Sequence, residues 1–436
     1  MPDKLPEVFA AIHPDEKIRR HSSSGGAFTA LSELILNTGG VIFGAGFDEN
    51  WHVVHTSAEN FDELENLRGS KYVQSQIGDI YKRVKIELEK GRRVLFSGTP
   101  CQCAGLKSFL GKDYDTLLTV DIICHGTPSP KLWESYIEYR AQGHDIARVN
   151  FRSKRFGWRS DYCIEINFYD CGYYSKIGTS DIFFKEFLNN LTLRPSCHEC
   201  KFKFPNGKAD ITIADAWSVQ NFAPKFFDNR GTSLVIVHTA NGKNFFTKAK
   251  LARQRINFDV VPSTNSSFLT SSPADDNRKN FFDDLKKFPN QSVTIMQKYF
   301  NQPPKSSGRN KRAEAMQKYE NILQHIANLR TKNLLLITST IDDNIRNNLT
   351  QNILRDFKGS GVYSLQMLKD GKINFVDCLH PIINYNVAAS LENMKALLKN
   401  FHITEIFIDV RITFSEGSKK FLESSGLPIR KFEWRR

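Results

Sequence analysis

The chain has 436 residues, of which 40% are hydrophobic, 12% aromatic and 25% charged. This composition excludes a mainly disordered protein and leaves apolar material for roughly three domains of about 150 residues. The excess of 60 Lys and Arg over 47 Asp and Glu suits an acidic partner, a phosphate-bearing cofactor or nucleic acid without choosing among them. No apolar run reaches the ~18–20 residues of a membrane span, and the N-terminus lacks a signal-peptide pattern. We therefore expect a cytoplasmic protein.

Helices and strands alternate in the first third of the chain. Apolar spacing predicts helices over 26–38 and 77–90 and a short one at 100–110. Buried strands are predicted over 41–47, 51–58, 93–98 and 117–124. This β-α-β order favours an α/β sheet whose strand-end loops build a site.

The pattern changes from about residue 149. Aromatic and polar residues alternate there, as in antiparallel strands, a helix is predicted near 181–191, and 209–217 and 232–239 are further strand candidates. We expect an α/β fold with α+β elements. A mixed-sheet domain should cover 1–302, with an α/β part at about 8–145 and an antiparallel-rich part at about 146–302. A linker and helix over 303–331 should connect it to a small C-terminal α/β domain over 332–436. In that last domain we predict strands at 333–340, 362–368 and 405–410 and helices at 342–356 and 389–400, and we assign it no chemistry.

The cysteines are concentrated in one part of the chain. Seven of the eight lie between residues 101 and 200, namely Cys101, Cys103, Cys124, Cys163, Cys171, Cys197 and Cys200, and Cys378 stands apart. The spacing Cys197-x-x-Cys200 allows two thiolates to share one metal or one iron–sulfur cluster. Cys101 and Cys124 each follow a predicted strand, so both should emerge at the same sheet edge. Alternatively, these two cysteines are ordinary buried thiols of the core. We expect that role for Cys103, Cys163 and Cys171.

Eight blocks follow one another along the chain: SSSGGAFTAL (22–31), LRGSKYVQS (67–75), LFSGTPCQ (95–102), VDIICHGTPSP (120–130), FRSKRFGW (151–158), RPSCHECKF (194–202), ADITIADAW (209–217) and GTSLV (231–235). In their order and spacing, over about residues 8–300, they resemble the coenzyme F-420 hydrogenase/dehydrogenase beta-subunit family, which includes the plant hydroxymethyl-chlorophyll reductase. The resemblance implies an FAD-dependent oxidoreductase with one 4Fe-4S cluster. It places the cluster ligands on Cys101, Cys124, Cys197 and Cys200.

Two segments are candidates for flavin contact. Ser22–Gly26 combines hydroxyls, small residues and a helix start, which suits an anion, although a Ser-rich helix cap has the same composition. Residues 68–75 carry two cations, hydroxyls and an aromatic ring, although a solvated turn would too. The resemblance favours FAD contact by Ser23, Ser24, Gly25, Gly26, Thr29, Gly69, Ser70, Lys71, Tyr72, Val73, Gln74 and Ser75.

Further candidates leave their roles open. Arg152, Lys154, Arg155 and Trp158 could face a cofactor or an acidic substrate, or lie exposed. His125 could donate a proton, bond a cluster sulfur or be structural, and His198 is expected to be a loop residue. Neither is offered as a catalytic base.

The expected partners follow from the resemblance and from the charge. Bacterial relatives commonly begin with a ferredoxin-like module, and no cysteine precedes Cys101 here, so we expect a separate ferredoxin-like carrier or a deazaflavin coenzyme, together with a small-molecule substrate. Self-association is possible, and nucleic-acid binding is not expected because no binding motif accompanies the charge. The alternative functions are a non-catalytic protein stabilised by a metal or cluster, and an accessory electron-transfer subunit of a larger complex.

Overall fold

The computed structural model describes residues 4–159, 162–170, 172–302, 311–328, 333–337, 361–367, 372–377, 384–388, 403, 405–409 and 425–432. The chain divides into two compact units, one of Pro6–Ala315 and one of Met1–Leu5 with Met316–Arg436. The helices predicted at 342–356 and 389–400, as well as Cys171 and Cys378, lie outside the described residues. The separate domain at 332–436 stays a prediction.

The first unit is a mixed α/β structure, as the sequence predicts. Its strands are β1 (Glu7–Ile12), β2 (Val41–Phe47), β3 (Val53–Ala58), β4 (Val94–Gly98), β5 (Leu117–Ile122), β6 (Ile146–Ser153), β7 (Cys163–Phe168), β8 (Tyr173–Ile177), β9 (Ile211–Asp215), β10 (Ser233–Val237) and β11 (Ala252–Ile256). The α-helices among the described residues are α1 (Glu16–His21), α2 (Ala27–Leu36), α3 (Phe61–Leu67), α4 (Ile80–Glu89), α5 (Pro100–Leu110), α6 (Pro130–Ala141), α7 (Ile182–Leu188), α8 (Pro195–His198), α9 (Ala240–Lys248), α10 (Val260–Thr264), α11 (Arg278–Lys287), α12 (Ser292–Phe300) and α13 (Lys311–Asn328).

An eight-stranded sheet organises the first unit, in the order β11-β1-β10-β9-β5-β4-β2-β3. The strands β2, β4, β5 and β9 are parallel neighbours. The outer strand pairs are antiparallel. They are β2 with β3, β9 with β10, and β1 with both β10 and β11. A long excursion joins β5 to β9 and contains a separate antiparallel sheet of β6, β7 and β8.

The sheet is covered on both faces because its strands alternate their side chains. On β2, Ile42 packs with α2 and α3 on one face, whereas Val41 and Phe43 pack with α4 and α5 on the other. Leu95 and its neighbour Phe96 on β4 divide in the same way. Each large side chain buried in this way contributes about 2 kcal/mol, so the two layers fix the sheet and the loops at its ends.

A second core, rich in aromatic residues, lies under the three-stranded sheet. Trp133 of α6, Phe151 of β6 and Phe183 of α7 pack together with Phe281 and Met296 from α11 and α12. The antiparallel strands of this region are confirmed. The helix α6 was not predicted, although Pro130 at its start and four buried apolar residues along it are typical helix signals.

The second unit contains a six-stranded sheet in the order β15-β14-β13-β12-β16-β17. Its strands are β12 (Asn333–Ile337), β13 (Gly361–Met367), β14 (Lys372–Asp377), β15 (Asn384–Ala388), β16 (Glu405–Asp409) and β17 (Ile429–Phe432). The predicted strands beginning near 333, 362 and 405 are confirmed, and β12 pairs in parallel with both β13 and β16.

Candidate functional site

The carboxyl ends of four parallel strands meet at one edge of the eight-stranded sheet, which we call the site edge. Because β2, β4, β5 and β9 run in one direction, the loops that follow them leave the sheet on the same side. Since β10 runs against β9, Ser233 at its start lies beside Asp215 at the end of β9. Open α/β sheets bind their ligands outside the carboxyl ends of their strands.

The structure brings Cys101 and Cys124 to the site edge, as the sequence predicts. Cys101 lies exposed in the first turn of α5, and Cys124 comes shortly after β5. Burial raises the pKa of Cys124 to about 12, and the charges of Cys101 and Cys197 act in the same direction. Cys101 and Cys197 therefore lie within electrostatic range of Cys124.

The Cys197-x-x-Cys200 segment packs directly on the loop that follows Cys124. At Gly126, whose φ is +143°, an added Cβ would lie 3.3 Å from the Cβ of Cys197. Cys197 belongs to the short helix α8, and Cys200 follows three residues later. A side chain at Gly126 would therefore be crowded against Cys197, and it would also meet the Cδ1 of Leu193 at 2.7 Å.

The remaining described cysteines are core thiols. Cys103 is buried in α5, and its thiol lies 3.9 Å from the carbonyl oxygen of Val120. Cys163 is buried in β7, where its thiol lies 3.7 Å from the carbonyl oxygen of Ser153. Both are thus packing residues, as expected.

The four predicted cluster ligands fit an iron–sulfur cluster in their chemistry and their surroundings. Among the described residues, no three Cys, His, Asp or Glu side chains lie close enough together to bind a single metal ion. A four-iron cluster is larger than one ion and holds its thiolates farther apart. Cysteine thiolates are the soft ligands that such a cluster requires, and their binding to one stays a prediction.

Two lysines that sequence reasoning missed lie beside Cys124. The Nζ of Lys203 donates hydrogen bonds to the carbonyl oxygens of Cys124 at 2.5 Å and Ser267 at 2.7 Å. Lys311, at the start of α13, donates to the hydroxyls of Ser267 at 2.7 Å and Ser272 at 3.1 Å. Burial lowers the pKa of Lys311 to about 8. The positive charge of Lys203 also lowers this pKa, whereas Cys124 raises it. These cations would offset the negative charge of thiolates.

Residues 266–272, which we call the serine segment, tie the two cysteine loops together. The backbone N–H of Cys200 donates to the hydroxyl of Ser271 at 2.9 Å. The hydroxyl of Ser272 donates to the carbonyl oxygen of His125 at 2.6 Å. No periodic pattern marks this segment, and only its run of hydroxyl residues in the sequence hints at such a role.

The two histidines near the cysteines have different surroundings. Burial lowers the pKa of His125 to about 3, so its ring is neutral and a poor proton donor at neutral pH. His198 is not a loop residue as predicted but lies in α8, where its Nδ1 donates to the carbonyl oxygen of Ser272 at 3.0 Å. Its Nε2 therefore accepts from the Nε of Arg278, also at 3.0 Å.

The two candidate flavin segments meet at the site edge. The hydroxyl oxygen of Ser23 accepts hydrogen bonds from the backbone N–H of Ser70 at 2.8 Å and from its hydroxyl at 2.9 Å. The Nε of Arg68 donates to the hydroxyl of Thr29 at 3.1 Å. The sequence could not predict this pairing, because the segments are more than forty residues apart.

Glycines allow the first flavin segment to lie against the sheet. A Cβ at Gly25 would lie 2.5 Å from both the carbonyl oxygen of Ala11 and the backbone nitrogen of Ser233. Gly26 has a φ of +90° and precedes α2 without a side-chain cap. Backbone N–H groups at such a helix start suit an anion. The hydroxyl of Ser24 is used by the fold, because it donates to the carbonyl oxygen of Thr232 at 2.6 Å.

The second flavin segment is partly built into the protein. Val73 is buried, and Tyr72 packs edge-on against Phe184. Lys71 donates to the carbonyl oxygens of Asn66 and Arg68, and burial lowers its pKa to about 7. The remaining predicted contacts are Gly69, Gln74 and Ser75. Gly69 has a positive φ, and Ser75 is buried. The backbone nitrogen of Gln74 lies 3.4 Å from the carbonyl oxygen of Pro128. Their contact with a flavin stays a prediction.

The basic–aromatic patch is part of the framework. Arg152 is buried and pairs with Asp215 through two nitrogens, at 3.0 and 3.3 Å. The indole N–H of Trp158 donates to the same carboxylate at 3.0 Å. Lys154 donates to the carbonyl oxygens of Arg19, Ser24 and Arg230 at 2.7–2.8 Å, and Arg155 pairs with Glu165 at 2.8 Å. Each of these cations thus already has an anionic or carbonyl partner.

Two family models match the chain along the segments that build the site edge. The model for the N-terminal part of the coenzyme F420 hydrogenase/dehydrogenase beta subunit matches residues 8–82, and the one for its C-terminal part matches 91–261. The chain belongs to the coenzyme F420 hydrogenase/dehydrogenase beta-subunit family. This membership indicates a redox role as an oxidoreductase. Residues 266–272 and Lys311 lie beyond both matched ranges.

Other comparisons add less to the family assignment. A chain of the xenon-derivatised F420-reducing [NiFe] hydrogenase complex from Methanosarcina barkeri is 19% identical to the protein described here, with a TM-score of 0.40. The match covers 68% of the present chain and 92% of the hydrogenase chain. No curated protein matches the chain. Among the described helices, none has the length and apolar character to cross a membrane.

Proposed function

We propose that the chain is an oxidoreductase that uses FAD and one 4Fe-4S cluster to pass electrons between a redox carrier and a small-molecule substrate. The observation that carries this proposal is the hydrogen-bonded connection at the site edge between the second flavin segment and the Cys101 loop, through Ser75 and Gln102. Adjacent sites for two electron-carrying groups suit an internal electron path. The family assignment supports the reaction class.

The thiolates of Cys101, Cys124, Cys197 and Cys200 would hold the cluster. Bound at the site edge, the flavin would exchange two electrons with a substrate and the cluster single electrons with a carrier. Lys203 and Lys311 would stabilise the additional negative charge of the reduced state, because a cation nearby favours the more negative form. Hydrogen bonds to Ser267 and Ser272 of the serine segment hold these lysines in place.

Ser22–Gly26 and residues 68–75 would hold the FAD. Because Ser23 accepts two hydrogen bonds from Ser70, its own hydroxyl hydrogen is left to donate to a ligand oxygen. The start of α2 offers backbone N–H groups to the pyrophosphate. A flavin held this way depends on backbone and hydroxyl donors, since the cations of this region are occupied by other partners.

A basic rim near the cysteines supports a ferredoxin-like carrier as the partner. Arg194, Lys201 and Lys208 are exposed around the CxxC segment, where Glu199 is the exposed acid, and Cys101 is itself exposed. Positive surfaces attract acidic partners and accelerate their docking. A deazaflavin coenzyme is the alternative carrier.

Anaerobic purification of the full chain tests the proposal. We expect one FAD per chain, iron and sulfide in equal amounts, and the visible absorption of flavin together with that of thiolate-bound iron. A zinc-containing protein without flavin would instead support a non-catalytic, metal-stabilised protein. A cluster without flavin would support an accessory electron-transfer subunit. Reduction of the bound flavin by a reduced ferredoxin or by a reduced deazaflavin would separate the two carriers.

A further inference from the structure

Lys154 joins three segments of the chain beside the first flavin segment. Its Nζ donates to the carbonyl oxygen of Ser24 within that segment at 2.7 Å. It also donates to the carbonyl oxygens of Arg19 in α1 at 2.8 Å and of Arg230 before β10 at 2.7 Å. An ammonium group has three N–H donors. A charged Lys154 therefore satisfies all three carbonyl oxygens, whereas a neutral amine has one donor too few.

The contact between Lys154 and Ser24 is closely packed against Gly231. This glycine has a φ of +104°, and a Cβ there would lie 2.5 Å from the carbonyl oxygen of Ser24 and 2.7 Å from the Nζ of Lys154. The carbonyl oxygen of Gly231 accepts from the Nε of Arg19 at 2.7 Å. Only a glycine leaves room for the lysine to reach the flavin segment here.

The peptide groups of Ser24 and Gly25 are turned towards the protein. The N–H of Gly25 donates to the hydroxyl of Ser233 at 3.0 Å, and its carbonyl oxygen accepts from the N–H of His13 at 2.7 Å. The next N–H groups along the chain open α2, and the first N–H groups of a helix have no carbonyl partner within it. Lys154 thus fixes the backbone directly before the groups that we assign to the pyrophosphate of FAD.

The charged groups that face Lys154 form three arginine–carboxylate pairs from the elements packed around it. They are Arg152 of β6 with Asp215 of β9, Arg19 of α1 with Asp228, and Arg230 with Glu16. Because each arginine has its own carboxylate, the charge of Lys154 is the one in excess within this group.

The charge of Lys154 is sensitive to pH near neutrality. Burial lowers the pKa of its amine to about 7; Arg19 and Arg152 lower it further, whereas Asp215 and Asp228 oppose this shift. The amine is therefore about half protonated at neutral pH. An anion bound nearby favours the ammonium form, because opposite charges attract. The pyrophosphate of FAD keeps its negative charges throughout the range from pH 6 to pH 9.

We propose that Lys154 is a positioning residue for FAD, and that its positive charge and the anionic ligand stabilise each other. This inference rests on the proposed function, because it requires FAD at the start of α2. Coupling of this kind is reciprocal, so FAD should bind more tightly at pH 6 than at pH 9. If FAD raises the pKa of Lys154 by about one unit, the two affinities differ about tenfold.

The test measures FAD affinity by flavin fluorescence, with FAD titrated into the flavin-free full chain at pH 6, 7.5 and 9. Lys154→Arg keeps a charge that does not titrate in this range. Its affinity should equal that of the wild type at pH 6 and exceed it about tenfold at pH 9. Lys154→Met should bind about tenfold more weakly than the wild type at pH 6, with a difference that shrinks towards pH 9.

The ratio of each variant to the wild type isolates Lys154. Any other group that titrates, such as Lys71, acts on both proteins and cancels in the ratio. A lysine that only supported the fold would give ratios that do not change with pH. Lys185→Met is the matched control, because the Nζ of Lys185 donates to the carbonyl oxygen of Phe300 on α12 at 2.7 Å. Its ratio should be one at every pH.

Proton uptake tests the inference in the wild type itself. Calorimetric titration with FAD in two buffers of different ionisation enthalpy should show the uptake of about half a proton through Lys154 at pH 7.5. Lys154→Arg should take up about half a proton less than the wild type. This measurement keeps the test decisive even where a variant fails to fold, because wild-type binding without proton uptake already overturns the inference.

The outcomes separate this inference from the proposed function. A wild type that binds no FAD overturns the proposed function and the role of Lys154 with it. A wild type that binds FAD, with ratios for Lys154→Arg and Lys154→Met that are the same at pH 6 and pH 9, overturns the role of Lys154 alone. Equal proton uptake by the wild type and Lys154→Arg also overturns it.

Discussion

The two sides of the site edge are built in different ways. On the cysteine side, Cys124 is surrounded by side chains from distant parts of the sequence, including Lys203 and Lys311. On the flavin side, Ser23 and Gly25 face backbone groups and hydroxyls, and Lys154 is held by three carbonyl oxygens. One side thus presents charge to a ligand, whereas the other presents backbone shape and neutral donors.

This difference predicts how each side responds to substitution. Side-chain ligands and charges can be removed one at a time while the backbone stays in place, so changes on the cysteine side should alter cofactor content or potential more than folding. A backbone surface is altered only by forcing atoms apart, so changes on the flavin side should affect stability first.

Replacement of Cys124 by Ser should have the largest effect. A hydroxyl is a poor ligand for iron, so Cys124→Ser should abolish iron and sulfide, as should the same change at Cys101, Cys197 or Cys200. FAD should remain bound. Cys103→Ala, which alters a buried thiol two residues from Cys101, is the control and should keep its iron. Full iron content in Cys124→Ser would remove the cluster assignment, and complete loss of FAD would show that the two sides are not separable.

Gly25→Ala should damage the flavin side by destabilising the sheet. Its Cβ would lie 2.5 Å from two backbone atoms, so the first flavin segment must move, at a cost of about 3 kcal/mol in the free energy of unfolding. Gly44→Ala on β2 is the matched control, because its Cβ would find only ordinary contacts at 3.7 Å or more. Urea unfolding and FAD retention measure both. Equal stability of the two variants would contradict the view that backbone shape builds this side.

Asp121 tests the effect of buried charge beneath the cysteine side. Burial raises its pKa to about 7, although Thr212 and Lys203 oppose that shift. Between about pH 4 and pH 7 the folded protein therefore holds a proton that the unfolded chain has lost, so this group's contribution to stability declines as pH rises. Asp121→Asn should remove this decline, and at pH 8 it should raise the free energy of unfolding by about 4 kcal/mol. Parallel unfolding curves of variant and wild type from pH 5 to pH 8 would contradict it.

Lys311→Met should have the smallest effect and leave both cofactors bound. Loss of one positive charge near Cys124 should lower the ratio of reduced to oxidised cluster about tenfold at a fixed potential, which is 59 mV for one electron. Lys311→Arg should largely restore the wild-type potential. Lys298→Met removes an exposed lysine paired with Asp284 and should change nothing. A redox titration followed by electron paramagnetic resonance measures the potential of the cluster in each variant. An unchanged potential in Lys311→Met would contradict the view that charge on the cysteine side acts on the ligand.

The sequence predicted the parts of the site that depend on strand order. Cys101 and Cys124 could be placed together because each follows a buried strand and parallel strands end at the same edge. The flavin segments were found as loops, but their contact through Ser23 and Ser70 depends on tertiary packing that periodicity does not encode.

The parts that could not be predicted are single polar groups with distant partners. Lys203, Lys311 and the serine segment have ordinary loop or helix-start sequences, and nothing local shows that they lie beside Cys124. Arg152 and Lys154 could be recognised as cations, yet only the structure shows that Asp215 and backbone carbonyl oxygens occupy them. Charge patterns thus identified residue types here but not their partners.

The distant origin of Lys311 has a consequence for biosynthesis. Proteins emerge from the ribosome N-terminus first and fold as they are made, so Cys101 and Cys124 are exposed long before the serine segment and Lys311 are synthesised. A cluster inserted early would sit among thiolates without the cation from α13, whereas one inserted late would find its finished surroundings. The chain order therefore predicts that the proposed cluster is inserted late, after most of the polypeptide has left the ribosome.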